Sequence, residues 1–205
     1  MEKLVIYGAS GHGKVVADIA SNYYKQIMFF DDDKTKEQCM GYPVVNDRSQ
    51  MEEYVHDSDF FVGIGNARVR KEITLYLTEL GADFATLIHP SAIIGKHVKV
   101  GKGTVIMPGV IVNADSKIGE GCIVNTAASI DHDCNIADYV HVSVGAHLCG
   151  TVEVGEKTWV GAGAVIINNT KVCEECMIGA GAVVVGNITE DGTYVGVPAR
   201  KVEKK

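Results

Sequence analysis

The chain has 205 residues, a formal net charge of −7, and a composition that is 46% hydrophobic and 22% charged. That length allows one or two domains with a sizeable core, and an acidic balance without a basic run speaks against a nucleic-acid backbone as partner. No segment approaches the roughly 20 apolar residues of a membrane span, and the first apolar run, Leu4 to Tyr7, is too short for a leader peptide, so a cytoplasmic protein is expected.

Glu2 to Tyr7 reads as a buried strand. Gly8-Ala9-Ser10-Gly11-His12-Gly13-Lys14 follows, then a helical pattern with Val15, Val16, Ile19 and Ala20 on one face. A second strand, Ile27 to Phe30, ends in Asp31-Asp32-Asp33. A third, Asp59 to Ile64, ends in Gly65-Asn66, ahead of a helix from about Ala67 to Leu80. Phe84 to Leu87 makes a last short strand. Strands alternating with helices predict a small parallel, Rossmann-like sheet, so residues 1–87 are expected to form an α/β domain.

The glycine turn between strand and helix can present backbone N–H groups to a phosphate, or can simply let the two elements pack closely. Asp31 to Asp33 can be a solvated loop, but an acidic pair ending the next strand suggests a nucleotide. The domain is too short for two mononucleotide halves. A nucleotide-linked substrate is therefore preferred to a dinucleotide cofactor.

From Ile88 to Val184 an aliphatic residue stands at every sixth position, and a small or β-branched residue follows four places later, from Ala92 to Ala182. A six-residue period fits neither an isolated helix nor a flat strand; it fits a hexapeptide β-helix over residues 88–205, closed by a C-terminal tail. Three such strands make a triangular coil, and coils stack at roughly 4.8 Å. Gly95, Gly101, Gly119, Gly155, Gly161 and Gly179 directly follow inward positions, where backbone freedom is expected to help the chain turn. Cys173 and Cys176 form a C-x-x-C that invites a zinc or redox reading. The register instead makes Cys122, Cys134 and Cys176 inward fillers; Cys39, Cys149 and Cys173 are expected to face outward, and the sequence offers no second C-x-x-C.

Several motifs join the two halves: Y-G-A-S-G-H-G at Tyr7 to Gly13, I-G-N at Ile64 to Asn66, I-H-P at Ile88 to Pro90, N-T at Asn125-Thr126, D-H-D-C at Asp131 to Cys134, H-V-S-V-G-A at His141 to Ala146, and G-V-P-A-R at Gly196 to Arg200. With the coils they resemble the left-handed parallel β-helix of the hexapeptide-repeat sugar acetyltransferases of the sialic-acid O-acetyltransferase type. The chain is most similar to the bacterial enzymes that N-acetylate UDP-4-amino sugars in bacillosamine-type pathways. The resemblance implies acetyl-CoA as co-substrate, no metal, and a homotrimer with the CoA cleft between neighbouring prisms. It assigns His132 as general base with Asp133 beside it, where close relatives carry Glu. His141, expected in the corner after the next strand, would contact acetyl-CoA together with Ala162 and Ala180. Ser10, Gly11 and His12 would meet the phosphates and sugar, Asp31 and Asp32 the uracil, and Gly65 would line the same pocket.

The residues themselves allow that chemistry. His132 comes two places after inward Ile130 and so points outward near a turn, flanked by Asp131 and Asp133. It is either an ordinary surface histidine or a base for an attacking amine, its tautomer held by a carboxylate. Gly150 stands one coil above it, so its N–H is a candidate donor to a thioester oxygen. Two alternatives remain open at this level, as does another acyl donor such as succinyl-CoA, and a third reading is set aside. The first is O-acetylation of sialic acid or a related sugar, and the second a non-enzymatic scaffold that binds nucleotide sugar. The third is a γ-type carbonic anhydrase with zinc on His132, His141 and His147, whose first and last histidines differ in coil phase.

Overall fold

The computed structural model describes residues 2–203 and falls into two compact units, Met1–Leu87 and Ile88–Lys205. In the first unit, β1 (Lys3–Tyr7) lies at the centre of a six-stranded sheet. It pairs in parallel with β2 (Gln26–Phe30) and β5 (Asp59–Val62), and β5 pairs in parallel with β6 (Asp83–Phe84). Beyond β2 a short antiparallel pair, β3 (Gln38–Cys39) and β4 (Tyr42–Val45), extends the sheet. Helices α1 (Gly11–Ala20) and α2 (Ala67–Glu79) follow β1 and β5. A central parallel strand is buried on both faces. Accordingly Leu4, Val5 and Ile6 are fully buried in sequence, and Val5, Tyr7, Phe30 and Phe60 form a core with Ile73 and Leu77 of α2.

Four details depart from expectation. Val15 is exposed, because the buried face of α1 runs through Gly13, Val16, Ala17, Ile19 and Ala20. The β3–β4 hairpin has too few residues to show a period. Cys39 lies in it and is buried, not outward. Phe84 and Leu87 belong to different strands: Phe84 ends β6, while Leu87–Ile88 opens the first face of the coils.

The second unit is a three-faced prism of parallel two-residue strands. Each strand pairs with the strand one coil away, as in Val105↔Ile123, Ile111↔Ser129 and Lys117↔Asn135. Every predicted inward aliphatic from Ile106 to Val184 is buried, as is every small residue from Thr104 to Ala182. Three of these small positions bear hydroxyls that bridge coils. Ser116 Oγ, for example, donates to the Asp131 carbonyl (2.6 Å) and accepts from the Cys134 amide (3.1 Å). Cys122, Cys134 and Cys176 continue those columns, each thiol turned to a carbonyl of the following coil. They are weak hydrogen-bonding fillers rather than purely apolar ones.

The turn works differently from the sequence expectation. At every corner from His97 to Gly181 the third residue after the inward one takes the left-handed conformation, with φ between 56° and 70°. The glycines that directly follow inward residues have no such φ. A Cβ on Gly95 would stand 2.7 Å from the Ala114 amide nitrogen of the next coil. They are present because stacked corners leave no room, not because the chain needs freedom there.

The faces also differ in chemistry. The outward residues of the third face are Lys99, Lys117, Asn135, Glu153 and Lys171, all exposed except the half-buried Glu153. The second face carries Ile93, Ile111, Ser129, His147, Val165 and Val183. Gly192–Val195 and Arg200–Lys201 close the C-terminal end, where Tyr194 takes the register position above inward Ile178. Among the described residues no helix is long and apolar enough to cross a membrane.

Candidate active site

In the first unit the candidate residues gather beyond the C-terminal ends of β1, β2 and β5, the end at which open α/β sheets bind ligands. The three glycines of the turn divide their tasks. Gly8 has φ of 109°, and a Cβ on Gly13 would land on the Gly8 carbonyl oxygen. Gly11 has open space around it. Gly8 and Gly13 thus serve the strand–helix crossing, and Gly11 leaves the start of α1 clear. The N-cap Ser10 makes no side-chain cap hydrogen bond, and the first intrahelical bond of α1 is the Lys14 amide to the Ser10 carbonyl. The amides of Gly11, His12 and Gly13 therefore face outward from the positive end of the helix dipole.

His12 is mostly buried there, and its Nε2 has no hydrogen-bond partner. Burial, helped by the Arg70 charge, pushes its pKa down to about 4, so near neutrality it offers a hydrogen bond and no charge. Arg70 is a residue the sequence reading missed. It is 1% exposed and its guanidinium donates to the carbonyls of Ile64 (2.9 Å) and Gly65 (2.8 Å), shaping the loop after β5. Only a charged residue on the buried stripe of α2, at the spacing of Ile73 and Leu77, could have signalled it. Asp31 reaches the glycine turn: its carboxylate accepts from the Ala9 amide (2.7 Å) and from Lys36 (2.8 Å). Asp32 faces elsewhere, accepting from the Tyr7 hydroxyl and two nitrogens of Arg48, each at 2.7 Å.

In the second unit His132 occupies the corner after the second face, and its turn is held to the coils on both sides. The Asp133 amide donates to the Ala114 carbonyl (3.1 Å) and the Thr151 amide donates to the His132 carbonyl (2.9 Å). The His132 amide donates to Asp131 Oδ1 (2.9 Å), which also accepts from Asn113 Nδ2 (2.8 Å). The imidazole is exposed, with Nδ1 at 2.8 Å from Asp133 Oδ2. That bond raises the His132 pKa, with the Asp131 charge contributing next. It also puts the ring proton on Nδ1 and leaves Nε2 as the lone-pair nitrogen. Asp133 is therefore the ring's partner, and Asp131 holds the main chain. Asp133 is the left-handed residue of its corner (φ 58°), a conformation that turns its short side chain back to the ring.

Gly150 lies directly over this ring. A Cβ there would stand 2.7 Å from both Cε1 and Nε2 of His132. Its backbone φ is ordinary, so the turn does not demand glycine; the space above the imidazole does. Its amide has no hydrogen-bond partner among the described residues. Ala162 and Ala180 stack one coil apart on the corner after the first face, the Gly181 amide donating to the Ala162 carbonyl (2.8 Å). They share one prism edge, and His132 and Gly150 share another.

His141 sits within a strand of the first face, His141–Val142, and not in a corner. Its ring stacks on Trp159 at 5.1 Å and its Nε2 is 3.2 Å from Asn125 Nδ2. His147 is on the second face with Nδ1 at 2.8 Å from Ser129 Oγ. The three histidines thus occupy different parts of the prism, and no group of His, Cys, Asp or Glu suited to a metal gathers among the described residues.

Comparison with known proteins agrees with this anatomy. Residues 3–77 match the family described as PglD N-terminal domain, and residues 151–186 the bacterial transferase hexapeptide (six repeats). UDP-N-acetylbacillosamine N-acetyltransferase of Bacillus subtilis is 40% identical over 111 residues, 51% of this chain and 50% of that protein, so the chain spans about half the length of this curated relative. Among solved structures, the acetyltransferase domain of PglB from Neisseria gonorrhoeae has 39% identity and a TM-score of 0.94, covering 98% of this chain and 100% of that one. It has also been solved with acetyl coenzyme A. A mutant of perosamine N-acetyltransferase from Caulobacter crescentus, in complex with CoA and GDP-perosamine, has 34% identity and a TM-score of 0.95 over 98% of this chain and 97% of that one. The prism is accordingly a left-handed parallel β-helix of the hexapeptide type.

Proposed function

The chain belongs to the hexapeptide-repeat acetyltransferases that carry a PglD-type N-terminal domain, and we propose that it moves the acetyl group of acetyl-CoA onto the amino group of a UDP-linked 4-amino-4,6-dideoxy sugar. The observation that carries this reading is the pairing of His132 with Gly150: a tautomer-fixed imidazole beneath an unpartnered amide, in space that a single methyl group would fill. Nε2 of His132 takes a proton as the amine nitrogen attacks the thioester carbon, and the Gly150 N–H faces the oxygen on which charge grows. The imidazolium then returns the proton to the departing CoA sulfur. Attack is direct, since Cys149, next to Gly150, has no base paired with it among the described residues.

The unpaired amides at the start of α1, the Ser10 hydroxyl and the neutral His12 ring suit a diphosphate and its sugar. Asp31 and Gly65 would line the nucleotide's side of that site, with Asp31 bracing the turn, and Asp32 would reach a base only by giving up its bonds to Tyr7 and Arg48. Acetyl-CoA is the one co-substrate, and the direct attack calls for no metal. A homotrimer fits the prism: its charged third face suits solvent, and its less charged faces suit contact with other copies. The separate edges of His132 and Ala162 support the same arrangement, with CoA running between the His132–Gly150 edge of one copy and the Ala162–Ala180 edge of its neighbour, near His141. Six free cysteines are consistent with a cytoplasmic site of action.

Thiol release from acetyl-CoA tests the reading, with a UDP-4-amino-4,6-dideoxy sugar, its GDP-linked counterpart and free sialic acid as acceptors. Turnover with the UDP sugar that falls about 10²–10⁴-fold in His132→Ala is expected. Turnover with sialic acid alone would replace the acceptor by a hydroxyl, and turnover preferring the GDP sugar would replace the base. No release with any of the three would leave the scaffold reading.

A further inference from the structure

The C-x-x-C at Cys173 and Cys176 is a motif that the acetyl-transfer site leaves unused, and it lies on the third prism edge. The corners after the third face place Gly101, Gly119, Ala137, Gly155 and Cys173 directly after their inward residues. Stacking keeps that column small: a Cβ on Gly101 would stand 2.5 Å from the Gly119 carbonyl carbon, and one on Gly155 2.5 Å from that of Cys173. Cys173 escapes the rule because the stack opens above it. In the corners below, the left-handed residue donates its amide to the previous coil, ending with Glu175 to the Glu156 carbonyl (2.8 Å). Among the described residues Asp191 makes no such bond to Glu174. A cavity of about 660 Å³ opens there, walled by Cys173, Glu174, Glu175, Glu190, Asp191 and Lys201.

The two sulfurs meet at its wall. Cys173 Sγ is 3.4 Å from Cys176 Sγ, with Cys173 half-buried and Cys176 2% exposed. Their main chain is held in place. Thr158 Oγ1 donates to the Cys173 carbonyl (2.9 Å) and accepts from the Cys176 amide (3.1 Å), and the Cys173 amide donates to the Ile188 carbonyl (2.9 Å). The sulfurs need to close by about 1.4 Å to bond, which side-chain rotation supplies.

We propose that Cys173 and Cys176 are a reversible oxidation site, at which a peroxide converts the dithiol to a disulfide. Cys173, the sulfur that reaches the cavity, attacks one peroxide oxygen and becomes a sulfenic acid, releasing water. Cys176 then attacks the Cys173 sulfur; the S–S bond forms, and the hydroxyl leaves with the Cys176 proton as a second water. The two sulfurs together give up two electrons and the peroxide takes them. Burial and the neighbouring Cys173 push the Cys176 pKa up to about 12, so Cys176 is the protonated partner that supplies that proton. The carboxylates in the cavity wall repel an anionic oxidant such as oxidised glutathione, whereas hydrogen peroxide is small and neutral. Closure holds Cys173 at a stage that a thiol reductant reverses, short of the sulfinic acid. The edge is neither that of His132 and Gly150 nor that of Ala162 and Ala180, so the site goes beyond the proposed reaction and does not depend on it.

The test counts thiols by mass spectrometry. Reduced protein is treated with hydrogen peroxide, quenched, unfolded and alkylated. Wild type is expected to lose two of its six free thiols, at Cys173 and Cys176 together, and to regain both with a thiol reductant. Two variants take residues that the same columns already hold: Cys173→Gly, as at Gly155, and Cys176→Thr, as at Thr158. Their thermal midpoints check that the coils are intact. Cys173→Gly should keep Cys176 alkylatable, and Cys176→Thr should stop at a Cys173 sulfenic acid that dimedone traps. The proposal is overturned if Cys173 and Cys176 both stay alkylatable throughout, if Cys173 passes to the sulfinic acid with Cys176 still free, or if a paired loss of thiols persists in Cys173→Gly.

Discussion

Two glycines, Gly13 in the first unit and Gly150 in the prism, are each required because a Cβ would collide, yet with different things. At Gly13 the obstacle is the main-chain carbonyl of Gly8, locked between β1 and α1; at Gly150 it is the end of an exposed imidazole that can swing away. The first glycine is a condition of folding and the second a condition of chemistry, although in the sequence both are merely glycines near a turn. Gly13→Ala should therefore have the larger consequence. Its methyl can be relieved only by separating strand from helix, which costs about 3 kcal/mol or more on the scale of overpacked sites. A lowered thermal midpoint or loss of soluble protein is expected; an unchanged midpoint would refute the crossing as described.

Gly150→Ala sharpens the contrast from the other side. The ring moves instead of the backbone, so the melting temperature should hold within a few degrees while kcat drops about 10²–10³-fold, the range for disturbing an oxyanion donor together with its base. A melting temperature that falls along with activity would mean that Gly150 is structural after all, and the difference between the two glycines would vanish.

The pH profile separates the two aspartates that flank the base. Since Asp133 raises the His132 pKa and the base acts as neutral imidazole, wild-type kcat/KM should rise with pH along a limb lying above the ordinary histidine range. Asp133→Asn removes the carboxylate that stabilises the imidazolium. The limb should then move to lower pH, with kcat reduced roughly tenfold by the looser tautomer. Asp131→Asn keeps the ring partner and should shift the limb less, because the Asp131 charge is the second cause of the raised pKa.

The same contrast explains what the sequence made legible. The prism's period is a repeated steric rule, one inward aliphatic and one small residue per strand, and it survives in the letters because each coil must fit the next. Stacking arithmetic therefore put Gly150 over His132 without coordinates. What stayed hidden depends on local conformation. Asp131 and Asp133 flank the histidine symmetrically in sequence, and only the left-handed turn at Asp133 decides between them. His141 falls in a strand because corners begin after the inward residue, and His141 precedes one. In the first unit the glycine turn and the acidic strand end were visible. The β3–β4 hairpin that buries Cys39 and the buried guanidinium of Arg70 were not, since neither repeats.

The smallest expected effect lies at Asn113, one coil below Asp131 and without any role in the chemistry. Its amide nitrogen donates to the same Asp131 oxygen that accepts the His132 main-chain N–H. Asn113→Ala removes one exposed hydrogen bond, worth about 0.5–1.5 kcal/mol at most, and leaves the Asp131 bond to His132 in place. A loss of about twofold to fivefold in kcat with KM for both substrates unchanged is expected, because the base is less well held while neither binding surface is altered. Asn113→Asp should be worse than Asn113→Ala, since it sets a second carboxylate against Asp131 and drives that side chain from the turn. If the two variants behave alike, Asp131 is held by the coil itself, through its amide bond to the Leu148 carbonyl and the Ser116 hydroxyl on its own carbonyl, and the stacked polar pair contributes nothing to catalysis.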